Sequence, residues 1–191
     1  MSRRERSTPY ALLGLLNLAP MSGYDMRQEI ATSIGYFWSE SFGQIYPALR
    51  DLAAAGLIRA RPQTESRERR VYEITAKGRA AMRAWRAEPP RPAPVRNELL
   101  LKLFFGSTPG TMDEISWLEE HQDTVAARLR EFRKIRRQLL SEQANHRSLP
   151  YWLAVLRHGE IMSEAALRWC EETSATLQKL QPKPRKRGGP K

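Results

Sequence analysis

Apolar residues recur at helical spacing through most of this chain and alternate at strand spacing in two short stretches. A first helix reads from Thr8 to about Leu18, with Thr8 as N-cap, Pro9 at the first helical position and Pro20 as the stop. Leu12, Leu15, Leu16 and Leu18 supply its apolar side. A second opens at Ser22, with Asp25 at capping-box spacing, and runs through Met26 and Ile30 towards Gly35. A third starts at Ser41, where Gln44 completes an S-x-x-Q box, and stops before Gly56. Its Ile45, Leu49 and Leu52 share one face, and at about 100° per residue Gly43, Pro47 and Arg50 fall on the other, flanked by Gln44 and Tyr46. Glycine and proline early in a helix cost stability and pack nothing, a conflict expected where function constrains the sequence.

Two strands follow, near Leu57–Arg61 and Val71–Thr75, with Tyr72 and Ile74 on one face. The polar loop between them, Pro62 to Arg70, holds Arg67, Arg69 and Arg70. Thr75 caps a fourth helix through Ala80, Met82 and Trp85, which Pro89-Pro90 ends. Helix, helix, helix, strand, basic loop, strand is the element order of a winged helix-turn-helix. The expected fold is therefore mainly α, with three to four helices and a two-stranded wing at the N-terminal end and an α-helical dimerisation domain behind it.

Four prolines between Glu88 and Pro94 mark a semi-rigid linker. Beyond it three helices are expected, over about Val95–Phe105, Thr111–Ser141 and Pro150–Leu180. In the second of these, Leu118, Val125, Phe132 and Leu139 recur every seven residues beside Ile115, Leu129 and Ile135, with Gln122 and Arg136 interrupting. Such a stripe needs a covering helix. A second copy meeting Leu118, Val125, Leu129, Phe132 and Leu139 would supply it, and so would an internal bundle with the last helix. The domain reading is thus 1–88 DNA-binding, 89–94 linker, 95–180 dimerisation and candidate effector binding, and 181–191 a basic disordered tail.

Composition sharpens this picture. With 41% hydrophobic and 28% charged residues over 191 positions, the chain has the make-up of a soluble globular protein. It lacks an apolar run of the roughly 20 residues a membrane span requires, and no signal-type stretch follows Met1. One cysteine fits a reducing cytoplasm, the expected location. The net charge of +11 is unevenly placed: residues 1–90 hold 14 Lys/Arg against 9 Asp/Glu, and residues 91–181 hold 13 against 12. The last ten residues add five bases and no acid. A phosphate-binding module joined to an interaction module has this split.

Little points to catalysis. His121, His146 and His158 have no metal-site spacing, Cys170 lies on an apolar helix side, and phosphate-binding glycine loops and nucleophile elbows are missing. No catalytic residue, metal or cofactor is expected. Trp117, Trp152 and Trp169 either line an effector pocket or belong to the helical core. The third helix offers more. Gly43 permits close backbone approach, Gln44 can read a base edge bidentately, and Tyr46 can donate to a phosphate. The alternative is that Gln44 only closes its cap and Tyr46 packs beneath the wing. Arg67, Arg69 and Arg70 suit phosphate or minor-groove contact, or else form a solvated hairpin tip.

The string from Ser41 to Ile58, SFGQIYPALRDLAAAGLI, resembles the signature of the PadR family of bacterial regulators. Tyr10-Ala-Leu-Leu-Gly-Leu-Leu, Ser22-Gly-Tyr24 and Val71-Tyr-Glu-Ile-Thr75 through Gly78 match as well, so the resemblance spans residues 8–86. Residues 95–180 resemble, more loosely, the longer helical domain of one PadR subfamily. Ala53-Ala54-Ala55 departs from the pattern, where an acidic residue is common before the glycine, and so does the basic tail. The resemblance implies a homodimeric regulator, usually a repressor, that leaves an inverted-repeat operator on double-stranded DNA when a small molecule binds. Its DNA-contacting set would be Tyr24, Ser41, Gly43, Gln44, Tyr46, Arg50, Arg67, Arg69 and Arg70. The rival reading is a helical adaptor whose winged helix serves protein contacts without operator recognition.

Overall fold

The structure, a computed structural model, describes residues 3–38, 41–62, 70–90, 96–106 and 114–180. The chain divides into two compact units, Met1–Ala93 and Pro94–Lys191.

The first unit runs α1 (Arg3–Leu18), β1 (Met21–Ser22), α2 (Gly23–Glu29), a π-helical turn (Ile30–Ile34), α3 (Phe42–Ala54), β2 (Ile58–Ala60), β3 (Val71–Ile74) and α4 (Ala76–Ala87). Helix α1 begins earlier than the sequence suggests. Thr8 is 2% exposed inside it rather than capping it, and Pro9 sits within the helix. A proline there removes only the bond towards Glu5, one turn from the helix start, and the preceding arginines and glutamate are good helix formers. Ser22 caps α2 as its spacing predicts: the Asp25 N–H donates to Ser22 Oγ at 3.2 Å, and the Asp25 carboxylate accepts from the Ser22 N–H at 3.1 Å.

The sheet is three-stranded, in the order β1-β3-β2, all antiparallel. Ile58 pairs with Ile74, Arg59 with Glu73 and Ala60 with Tyr72, while Met21 and Ser22 pair with Tyr72 and Val71. Two-residue β1 is too short to leave a periodic signal, which is why alternation alone reveals only the wing. One core closes the unit: Leu12, Leu13, Leu15 and Leu16 from α1, Met26 and Ile30, Ile45, Ala48, Leu49 and Leu52 from α3, then Ile58 and Ile74. Leu18, expected on the buried side, is 49% exposed at the helix end. Tyr10 and Trp85 stack at 4.9 Å, joining α1 to α4.

Two glycines are required by geometry. Gly56 has φ +69°, the left-handed turn that ends α3 and starts β2. At Gly78 the first turn of α4 lies against β2, so a Cβ would meet the Leu57 carbonyl oxygen at 2.1 Å and Ile74 Cγ1 at 2.8 Å. The same turn is tied down by Thr75, whose Oγ1 accepts from the Gly78 N–H at 3.0 Å and lies 2.8 Å from the Gly56 carbonyl. A backbone carbonyl cannot move aside as a side chain does. Gly78→Ala should cost about 3 kcal/mol, at the upper end of overpacking effects, and a denaturant titration of the full chain would measure it. An unchanged midpoint would contradict this packing.

The second unit contains α5 (Glu98–Phe104), α6 (Glu114–Glu142) and α7 (Leu149–Leu180). Helices α6 and α7 run antiparallel, as cross-helix contacts from His121 to Trp169 and from Arg136 to Glu160 require. Leu118, Val125, Leu129 and Phe132 are buried within this pair, and Leu139 is half-buried. Of the two coverings that the sequence leaves open for the seven-residue stripe, the chain by itself already provides the internal one. The covering helix is α7 of the same chain, supplying Leu156 and Cys170 to the shared core. Arg136, which interrupts the stripe, donates to both oxygens of Glu160 at 2.8 and 2.6 Å. Arg157 adds a bond of 3.2 Å to the same carboxylate. The Arg136 bond above all holds the Glu160 carboxyl below the usual range, while the bond to Glu160 raises the Arg136 guanidinium. Burial pushes the Cys170 thiol up.

Among the described residues no helix is long and apolar enough to cross a membrane, and no cluster of His, Cys, Asp or Glu is placed to hold a metal ion.

Candidate nucleic-acid interface

Helix α3 is held from beneath and open above. Ile45, Ala48, Leu49 and Leu52 anchor it in the core, so Gly43, Tyr46 and Arg50 face outward, with Gln44 and Pro47 half-exposed beside them. Its first turn is closed by the reciprocal box that the Ser41/Gln44 spacing predicts. Gln44 Oε1 accepts from the Ser41 N–H at 3.0 Å and from the Ser41 Oγ–H at 3.1 Å, and the Gln44 N–H donates to the Ser41 carbonyl at 3.0 Å. Pro47 has no N–H to give to the Gly43 carbonyl one turn back, which puts a hydrogen-bond acceptor on the outward face.

Tyr46 is 48% exposed, yet its ring edge lies against Gly23, where an added Cβ would come within 3.0 Å of the ring. The start of α2 is thereby fitted to α3, with Tyr24 next in sequence and partly exposed. The register Ser22 to Val71 sets Arg70, itself exposed, one residue from a strand pair that leads straight into Tyr24. Tyr24, Ser41, Gly43, Gln44, Tyr46 and Arg50 thus belong to one pair of packed helices, with Arg70 at the adjoining strand end. Arg67 and Arg69 lie outside the described residues.

Two bases in this region escaped the sequence reading. Arg59, within β2, and Arg61, just past its end, both reach Glu73 on β3, through Nε bonds of 2.5 and 3.0 Å. Those bonds, the one from Arg59 first, hold the Glu73 carboxyl below its usual range. The signal was available: two arginines at strand spacing opposite a glutamate across a hairpin. The Arg61 N–H also donates to the Val71 carbonyl at 2.9 Å, which brings its backbone to the residue after Arg70.

In the second unit each of the three tryptophans has its own neighbour. Trp152 stacks on His146 at 4.4 Å, Trp169 meets His121 edge-on at 6.4 Å, and Trp117 lies beneath Lys102 at 5.2 Å. Trp152 and Trp169 are seventeen residues apart on one continuous helix, α7, which at a rise of 1.5 Å per residue separates them by roughly 25 Å. Trp117 and Trp169 lie at one end of the α6–α7 pair and Trp152 at the other.

A core-anchored helix with an open polar face, a small antiparallel sheet behind it and a separate helical unit make the winged helix-turn-helix architecture of transcriptional regulators. The first unit carries a PadR-like domain: the family model described as "Transcriptional regulator PadR-like family" matches residues 12–84, and one described as "Virulence activator alpha C-term" matches residues 95–178. It is 36% identical over 103 residues to the negative transcriptional regulator PadR of Bacillus subtilis, an alignment spanning 52% of this chain and 57% of that protein. It is 29% identical over 187 residues to the "Probable transcriptional regulator Rv1176c" of Mycobacterium tuberculosis, spanning 89% of this chain and 97% of that one. The crystal structure of Bacillus subtilis PadR in complex with operator DNA is similar with a TM-score of 0.76 at 26% identity, over 90% of this chain and 98% of that chain. The same protein in complex with p-coumaric acid matches with a TM-score of 0.72 at 24% identity, over 93% and 99%, a likeness of fold.

Proposed function

We propose that this chain is a cytoplasmic, homodimeric, sequence-specific DNA-binding regulator, a repressor that a small-molecule effector releases from its operator. The observation that carries the reading is the outward face of α3. Its polar and small residues stand clear of a core that holds the helix in place, Arg50 is exposed on the same helix, and Arg59, Arg61 and Arg70 lie in the same unit at the strands. The α3 face would enter the major groove and read bases, and the wing arginines would anchor on phosphates. No catalytic role is proposed. Bacillus subtilis PadR, a negative regulator solved with operator DNA and with p-coumaric acid, supports the repressor and effector parts of the reading.

A second copy would meet the half-buried end of the α6 stripe at Leu139 together with further apolar surface. The second unit leaves Leu100, Leu101, Phe104 and Phe105 exposed at α5, Phe104 by 80%, and Tyr151, Val155 and Met162 exposed along α7. An apolar surface of this kind suits self-association.

The test is binding to duplexes selected from a random pool, measured from low to high salt. Affinity should fall steeply for every duplex, and the selected one should stay preferred throughout. Arg59→Ala should weaken selected and random duplexes alike and flatten the salt slope by about one unit. An adaptor would select no sequence even at low salt, and that result would end the operator reading.

A further inference from the structure

We infer that Gln44 reads its base pair as a hydrogen-bond donor only, so that the operator presents it with a keto oxygen, guanine O6 or thymine O4. This rests on the operator-binding reading above. A backbone N–H can only donate, so the amide atom facing the Ser41 N–H at 3.0 Å has to be the oxygen, and the orientation of the Gln44 amide is fixed by chemistry. That oxygen also accepts the Ser41 hydroxyl at 3.1 Å. An amide oxygen has two lone pairs, and the cap occupies both. What Gln44 has left for a ligand is Nε2 with its two hydrogens.

The familiar pairing of glutamine with adenine needs both ends of the amide, the oxygen accepting from N6 while the nitrogen donates to N7. Here the oxygen would first have to abandon both bonds that start α3. Cytosine shows only a donor, N4, in the major groove, and adenine sets its N6 donor beside N7. Guanine offers two adjacent acceptors, O6 and N7, and thymine offers O4. The cap therefore narrows the bidentate contact suggested by residue type alone to a one-sided one.

The test uses the full chain. An operator is selected from random duplexes, and each half-site base pair is then replaced by the other three. Wild type is compared with Gln44→Glu and Gln44→Met. Glutamate keeps the box, because one carboxylate oxygen can hold both Ser41 donors, and turns an acceptor outward in place of a donor. At one base pair, wild type should prefer guanine or thymine about tenfold, and Gln44→Glu should swap that preference to cytosine or adenine. Gln44→Met should lose the preference without gaining another, which keeps the test open if the glutamate variant folds poorly. The selected base itself tells guanine from thymine. Where Gln44→Met relaxes an A·T pair, loss of wild-type binding on replacing its adenine by 7-deaza-adenine would show an adenine N7 contact and overturn the inference, and so would two substitutions that weaken all four pairs equally. A selection with no consensus would instead overturn the operator reading and this inference with it.

Discussion

A chain ending at Pro90 should fold and remain monomeric, and it should bind the operator about 100- to 10,000-fold more weakly than the full protein. Folding is expected because the first unit closes its own core, from Leu12 to Ile74, without any residue beyond α4. The loss follows from linkage. In a dimer, binding of one recognition helix delivers the second to the adjoining half-site at high effective concentration, which typically multiplies affinity by 10²–10⁴. Two such helices would lie about 34 Å apart or a multiple of it, one duplex turn, over an inverted repeat. Light scattering of both proteins and titration of whole and half operators measure each step. Equal affinity of the truncated and full chains for the whole operator would remove the dimer from the mechanism. Phe104→Glu in the full chain gives a second route to the same point: it should yield a folded monomer if α5 is part of the contact.

Arg136→Met should destabilise the second unit by about 3–5 kcal/mol, because it leaves the Glu160 carboxylate, 5% exposed, facing α6 with its main partner gone. Arg157, itself half in solvent, recovers part of this, so the lower end of the range is expected. The pH dependence gives an independent reading. Glu160 is more acidic folded than unfolded, chiefly through its bond from Arg136. Its contribution is therefore fully present above the ordinary carboxylate range and lost as pH falls through the lowered folded value. Acid titration of stability should show this loss in wild type and a shallower one in Arg136→Met. The double substitution Arg136→Met with Glu160→Leu should recover most of the stability, since an apolar pair of similar volume avoids burying the charges. A single variant as stable as wild type would mean the bridge stabilises nothing.

The helices of both units were legible because their signals are local: capping boxes at Ser22 and Ser41, the Thr75 cap, Gly56 past a helix end and heptad spacing in α6. What escaped is what depends on distance along the chain. Strand β1 has two residues, and only pairing with Val71 and Tyr72 makes it a strand. The α6 stripe was visible, but periodicity cannot say which helix covers it, and α7 does. Arg136 looked like an interruption because its partner lies 24 residues away on the returning helix. The three tryptophans were grouped by type, whereas a straight helix carries Trp152 and Trp169 apart. At the interface, residue types on α3 were readable. The state of the Gln44 amide was not, since it turns on which atom faces the Ser41 N–H.

The division of labour on α3 bears on how such a regulator could acquire a new operator. Positions 43 and 50 are exposed and 47 half-exposed, and none of the three belongs to the buried stripe, so selection can sample residues there without endangering the fold. Tyr46 is different: its ring lies on Gly23, and a change there would also disturb the seat of α3 on α2. Gln44 is tied in the same way through its cap. Drift in specificity would therefore run fast through positions 43, 47 and 50 and slowly through 44 and 46. Descendants that share an ancestral operator core while differing at its margins are the expected evolutionary record of that asymmetry.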